Sequence, residues 1–503
     1  MKKHRRGLTI RRKKFILLNS FLVLFLMLGL GYSILETNLN INGNIELKKY
    51  LKPIIKATSD SDRTAFRSDT YREKIKTVTL DNKINPPNNI VASWDIGEAG
   101  NGNVMAYLTT NSDDNTMYDL HIQGDGHLYA NPDSSYLFFG LRGVDTINGM
   151  DNLDISNTTN MEGMFREVGY ESTNDFVLDL GDKFDTNNVT NMNGMFQATG
   201  HSSPSFTLNL GDKFDTSKVT DMNHMFWGVG EDVTNITLDL GDKFDTSNVT
   251  DMSDMFSRAG SSNPNFTLDL GDKFNTTKVT NMVNMFNMTG YRSTILTLDL
   301  GDKFDTSNVT EMDGMFNYTG YSSTVFTLNL GDKFDTSKVT DMHHMFLGVG
   351  AFSNNFTLDL GDKFDTSNVT DMSWMFYYTC YNSTTFTLDL GDKFDTSKVT
   401  DMSHMFEGTG SKSTVFTLDL GDKFDTSNVT NMTQMFQYTG YQNNNLVLDL
   451  TTFDFSNVTD YTNIFYRFRT TGKIYVKDTA TRNWIINNSG NSNLTTSNVL
   501  IRS

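Results

Sequence analysis

GDKFDTSNVTDMSDMFSRAGSSNPNFTLDL, residues 241–270, and GDKFDTSKVTDMSHMFEGTGSKSTVFTLDL, residues 391–420, are one thirty-residue unit written twice. From residue 181 the unit recurs without an insertion until the end of the array. Its marker phenylalanine falls at Phe165, Phe196, Phe226, Phe256, Phe286, Phe316, Phe346, Phe376, Phe406, Phe436 and Phe465, which counts eleven coils. The first spacing is 31 and the last 29. Atypical end copies are what closing a stacked array requires.

Two periods share each unit. Phe206, Leu208 and Leu210 alternate with Thr207 and Asn209, which predicts a half-buried strand. Met222, Met225 and Phe226 stand at i, i+3 and i+4, which predicts a short helix. Thr220 suits its N-cap, Asp221 its positive end and Gly230 its stop. Phe214 and Val219 fill the turn between. One unit alone cannot outweigh an ordering cost of about 1–2 kcal/mol per residue. Stacked, each copy covers its neighbour, and strands align about 4.8 Å apart. The fold class expected is therefore a repeat solenoid, leucine-rich-repeat-like, with one short parallel strand and one short helix per coil. Twenty of the 26 methionines lie in two columns, from Met161 and Met164 to Met432 and Met435. At this spacing beside phenylalanine they read as core, ahead of a soft-metal or promiscuous binding stripe.

The residue before the unit's valine alternates: Asn188, Lys218, Asn248, Lys278, Asn308, Lys338, Asn368, Lys398, Asn428. The duplicated unit is thus sixty residues long. Alternation also doubles the distance between stacked lysines and sets an asparagine partner beneath each one.

Charge is segregated. Residues 1–14 hold eight of the 42 Lys and Arg, so the other 34 face 60 Asp and Glu. So acidic a body excludes nucleic acid as a partner, because phosphate binding needs clustered cations. The basic stretch precedes FILLNSFLVLFLMLGLGYSIL, residues 15–35. Cationic flank and apolar core predict export of the body, with residues 1–35 as a cleaved signal peptide or an N-terminal membrane anchor. Residues 36–90 read as a polar linker. Residues 91–150 read as a β-rich N-terminal capping module with strands VASWDI, NVMAYLTT and MYDLHIQ. The solenoid occupies 151–465, and 466–503 forms a C-terminal cap around Trp484.

Candidate chemistry is sparse. Asp239, Asp242 and Asp245 recur in nearly every coil. Calcium between stacked carboxylates is the minor alternative there to a solvated turn with Asx hydrogen bonds. Identical carboxylate pairs in many coils argue against one hydrolytic site. His343 and His344 are neighbours, whereas His224 and His404 are isolated. No third ligand accompanies the pair, so no metal site and no cofactor are expected. Cys380 is the single cysteine and replaces a glycine found in other coils. It excludes an intrachain disulfide and reads as a tolerated small residue rather than a nucleophile. Variation between coils gathers inside Met-x-x-Met and just after Met-Phe. There stand Trp227, Tyr318, Tyr321, Trp374, Tyr377, Tyr378, Tyr381, Tyr438 and Tyr441. Rigid aromatics suit ligand contact. They also pack on one another along an edge, and both readings stay open.

LDLGDKFDTSNVTDMSDMF and VTDMSWMF resemble the BspA-like bacterial surface proteins, whose leucine-rich-repeat-type units carry the same Asp-Thr-Ser-Asn-Val-Thr core. The resemblance covers roughly residues 90–503 and departs in unit length, thirty rather than the mid-twenties. It implies a surface or secreted solenoid, some relatives being adhesins for host matrix proteins. The expected function is non-catalytic binding of an extracellular protein or glycan. The alternative is a structural spacer without a specific ligand.

Overall fold

The computed structural model describes residues 51–241, 243–270, 273–301, 303–354, 356–469 and 471–502. The apolar segment 15–35 lies outside the described residues. Among the described residues no helix is long and apolar enough to cross a membrane.

The N-terminal strands are β1 (Ile75–Asp81), β2 (Ile90–Asp95), β3 (Val104–Thr110), β4 (Tyr118–Gly124), β5 (Leu128–Tyr129), β6 (Thr146–Asn148) and β7 (Leu153–Asp154). The repeats then contribute β8 (Phe176–Asp179), β9 (Ser205–Asn209), β10 (Asn235–Asp239), β11 (Asn265–Asp269), β12 (Ile295–Asp299), β13 (Val325–Asn329), β14 (Thr385–Asp389), β15 (Val415–Asp419) and β16 (Val447–Leu450). The chain closes with β17 (Lys473–Val476), α1 (Thr479–Asn488) and β18 (Val499–Ile501).

Repeat strands pair parallel at an offset of one unit: Phe206 faces Ile236, Leu296 faces Phe326, and Phe386 faces Phe416. Alternate residues turn inward, so β11 reads exposed, buried, exposed, buried, exposed. The marker rings form a continuous stack, with Phe256 and Phe286 at 5.8 Å and 3° and Phe376 and Phe406 at 5.6 Å and 3°. A second column stacks Phe364 on Phe394 and Phe394 on Phe424, both at 6.2 Å. Both methionine columns are fully buried. A fully buried threonine ties each turn to the next: Thr306 Oγ1 donates to the Asp335 carbonyl at 2.7 Å and accepts the Asp335 N–H at 2.7 Å.

The helix expected at Met222–Phe226 is a correction. Among the described residues the Met-x-x-Met-Phe segments are runs of turns. Hydrogen bonding explains the difference. The N–H groups of His224, Phe226 and Gly228 donate to Ser253, Met255 and Ser257 carbonyls of the next unit, at 3.0, 2.9 and 2.7 Å. Those of Met225, Trp227 and Val229 turn back to residue i−3, at 3.1, 3.0 and 3.1 Å. Half the donors are therefore spent between repeats, and none makes the i−4 bond of an α-helix. His224, Gly228 and Gly230 adopt positive φ to alternate the donors' directions. Thr220 does not cap a helix; its hydroxyl reaches the Thr190 carbonyl at 3.4 Å.

The linker reading of residues 36–90 is corrected from residue 51 onward. There β1 lies inside the eight-stranded sheet ordered β10-β9-β8-β6-β1-β4-β3-β2. Phe66, Ile75 and Val78 are fully buried. Their polar neighbours dilute the apolar signal. The N-terminal strands and the first three repeat strands are thus one sheet, joined where Thr146 pairs with Val177. Phe138 stacks on Phe165 at 5.5 Å, and the Tyr136 and Phe138 N–H groups donate to the Glu162 and Met164 carbonyls. Residues 133–141 are therefore a rung before the eleven that the motif identifies. At the other end, β16, β17 and β18 form a parallel sheet. Asp478 caps α1 by accepting the Thr481 N–H at 2.7 Å, and Trp484 stacks on Phe455 at 4.1 Å.

Candidate functional site

The turn after Met-Phe carries side chains outward at the residue two after the phenylalanine and three further on. Stacking at one-unit offsets gathers those side chains into an edge. The column through Tyr318 runs Gly228, Arg258, Met288, Tyr318, Gly348, Tyr378, Gly408, Tyr438. All eight have positive φ. The glycines accommodate their neighbours: a Cβ on Gly348 would lie 2.5 Å from the Tyr318 ring, and one on Gly408 would lie 2.7 Å from that of Tyr378. A large ring thus lies over a bare backbone in the following unit.

The sequence-predicted aromatics separate into local groups. Tyr318 meets Tyr321 edge-on at 5.3 Å, and Tyr321 stacks on Tyr291 at 5.1 Å and 7°. Tyr378 stacks on Tyr381 at 4.7 Å, and Tyr377 lies against Tyr378 at 4.4 Å. Trp374 contacts Tyr377 at 4.7 Å and stacks face to face on His404 at 3.8 Å and 13°. Tyr438 meets Tyr441 at 5.8 Å. Trp227 stands apart, beneath the Arg258 guanidinium at 5.7 Å. All nine residues are half-buried, so each offers a rim or a face while its body is packed. Burial, with the Glu407 carboxylate next, pushes the Tyr377 hydroxyl well above its ordinary range and keeps it a neutral hydrogen-bonding group.

Cations that sequence reasoning did not single out complete the edge. Lys412 lies over Tyr381 at 4.9 Å, Arg467 over Tyr438 at 5.7 Å and Arg469 over Tyr441 at 5.8 Å. The signal was the repeat register itself: Lys412 lies 31 residues after Tyr381, and Arg467 lies 29 after Tyr438.

The histidine pair also gains a companion. Asp313, His343 and His344 bring one ligand-type atom each within 4.8 Å of one another. The third group that the sequence reading lacked sits one unit earlier, thirty residues before His343.

The recurring carboxylates are occupied locally. Asp239, Asp299 and Asp419 each accept the N–H of the glycine two residues on, at 2.9–3.0 Å. Asp395 accepts the Ser397 N–H at 2.9 Å, and hydrogen bonding from Ser397, outweighing burial, holds its carboxyl below the ordinary value. Cys380 is fully buried, and burial pushes its thiol well up.

A family model described as a Mycoplasma protein of unknown function, DUF285, matches the chain six times, over residues 133–266, 200–321, 230–358, 261–384, 288–416 and 352–484. No curated protein and no solved structure matches the chain.

Proposed function

For a chain that belongs to this Mycoplasma family of unknown function, with the matches running from residue 133 to 484, we propose a non-catalytic binding role at the cell surface. In this reading the repeats form a leucine-rich-repeat-type solenoid of the BspA-like kind. The basic and apolar N-terminus exports it, and its aromatic edge takes an extracellular protein or glycan.

The observation that carries the reading is the division of labour within the unit. Core columns repeat nearly unchanged, whereas the half-buried outward positions hold Trp374, Tyr377, Tyr378, Tyr381 and His404 together. Rigid rings backed by stacking neighbours bury contact area at low entropic cost. Cations alongside add hydrogen-bond donors for an acidic or hydroxylated ligand.

A spacer is the second reading, favoured by rings that satisfy one another, such as Tyr291 on Tyr321 at 5.1 Å. Binding of residues 53–503 to panels of matrix proteins and glycans decides between them. Tyr318, Tyr378 and Tyr438 are changed together to glycine, the residue that Gly348 and Gly408 place in the same column. Saturable binding lost in that variant supports the edge. Absence of binding favours the spacer, and binding unchanged in the variant places the contact away from the edge.

A further inference from the structure

Asp313 and His343 occupy the same position of successive units, the first residue inside Met-x-x-Met, and His344 occupies the second. The backbone holds them in register. The Gly314 N–H donates to the His343 carbonyl at 3.1 Å, and the His344 N–H donates to Ser373 in the following unit at 3.2 Å. The two imidazole rings lie 4.3 Å apart at 51°. All three side chains are half-buried, so a small ion has access while much of the surrounding water is displaced.

The carboxylate is poorly served as it stands. Asp313 Oδ1 is shielded from solvent and makes no hydrogen bond. It lies 3.0 Å from His343 Nδ1 without the alignment of a bond. Asp341 Oδ1 is 3.1 Å from the same nitrogen and accepts the His343 backbone N–H at 2.9 Å, so a second carboxylate orients the ring. Burial raises the Asp313 carboxyl to about 6, against the opposing charge of His343. Burial and then His343 lower the His344 imidazole to about 4.

We propose that Asp313, His343 and His344 form a binding site for one late first-row divalent metal ion of the zinc class. Two imidazoles and one carboxylate are borderline ligands of that kind and leave a coordination position open. The ion bridges two successive repeats, with Asp341 as the outer partner that orients His343. Among the described residues no other cluster reaches three such groups. His224 has only Asp254, at 3.8 Å, and His404 pairs with Glu407 at 2.6 Å.

The three residues lie close to the aromatic edge. His344 and Trp374 are 6.0 Å apart, so Trp374 reports on occupancy.

The test titrates the full chain with Co²⁺ and Zn²⁺ at neutral pH, in millimolar calcium to occupy exposed carboxylates. Visible absorption of the cobalt protein, calorimetry and Trp374 quenching are the readouts. Asp313→Asn, His343→Ser and His344→Asn are the variants. Each installs a residue that the repeat already carries at that position, as in Asn223, Ser373 and Asn284. Asn284 holds φ 54° where His344 holds 60°, so the folds are preserved. One tight equivalent per chain is expected, weakened by at least about tenfold in each variant and unchanged in His224→Asn. Loss of binding without loss of the cooperative melt supports the site. No stoichiometric equivalent, or an equivalent that survives His343→Ser with His344→Asn, overturns it.

Discussion

Lys338 donates its ammonium group to Asn308 Oδ1, 2.6 Å away and thirty residues earlier in the chain. Asn308 in turn donates its amide to the Thr277 carbonyl at 2.8 Å. The same relay joins Lys278 to Asn248 and Lys398 to Asn368. Alternation along the sequence is therefore a hydrogen-bond pattern through the stack, and the sixty-residue period has a physical meaning. Asn308→Lys inserts a third ammonium group between those of Lys278 and Lys338, so that cations occupy consecutive units about 4.8 Å apart. The expected outcome is a lower urea midpoint that recovers substantially in molar salt, because exposed charges are screened. A midpoint that is unchanged, or lowered equally at all salt concentrations, speaks against the relay.

The buried threonine of Asp-Thr-Ser is a two-way link rather than a filler. Thr306→Val keeps the volume but strands the Asp335 N–H and carbonyl that its hydroxyl serves. A loss of about 1–3 kcal/mol is expected by urea unfolding. Thr306→Ser, which keeps the hydroxyl, loses less. Equal losses in the two variants would assign the residue to packing alone.

Cys380 holds φ 48° in a column that carries glycine in the neighbouring units, as at Gly350 and Gly410. An L-residue in the left-handed region costs about 1–2 kcal/mol. Cys380→Gly therefore raises the melting temperature. In the native wild type the fully buried thiol reacts with a disulfide reagent only as fast as the protein opens.

Asp145 ties the N-terminal strands to the first repeat. Lys76 Nζ lies 2.8 Å from its Oδ2, Ser172 Oγ donates to Oδ1 at 2.5 Å, and Asn174 Nδ2 donates to Oδ2 at 2.7 Å. Burial opposes ionisation, but hydrogen bonds from Lys76, Ser172 and Asn174 prevail and hold the carboxyl below its ordinary value of 3.8. A depressed carboxyl contributes stability that is complete above its unfolded value and is lost as pH falls through the folded one. Asp145→Asn is thus less stable at pH 7 and loses less on acidification below about pH 4. Parallel stability profiles for the two proteins would remove Asp145 from the acid response.

Strand and core positions are legible in the sequence because they need only local alternation and a fixed period. Phe206, Leu208, Met222, Met225 and Phe226 are buried as their spacing implies. The helix expectation fails because Met222, Met225 and Phe226 have the same spacing in a run of turns. What separates the two is where the His224 N–H donates, and that depends on the neighbouring repeat. β1 is hidden for a related reason: Ile75, Val78 and Leu80 lie among polar residues and gain partners from β4 and β6, far along the chain. At the edge, sequence variation marks Trp374 and Tyr378. It does not reveal that Gly408 underlies the Tyr378 ring or that Asp313 meets His343, since both contacts cross a unit boundary.

Under the proposed binding role, the aromatic edge rather than the length of the stack determines affinity. Excising residues 361–420 removes Trp374, Tyr377, Tyr378 and Tyr381, whereas excising 241–300 leaves them in place. Both excisions remove two units and keep the Asn–Lys alternation. The decisive measurement is the binding of wild type and of both shortened proteins to the same panel of matrix proteins and glycans. Binding lost only when residues 361–420 are removed is the predicted result; binding retained without them contradicts the claim.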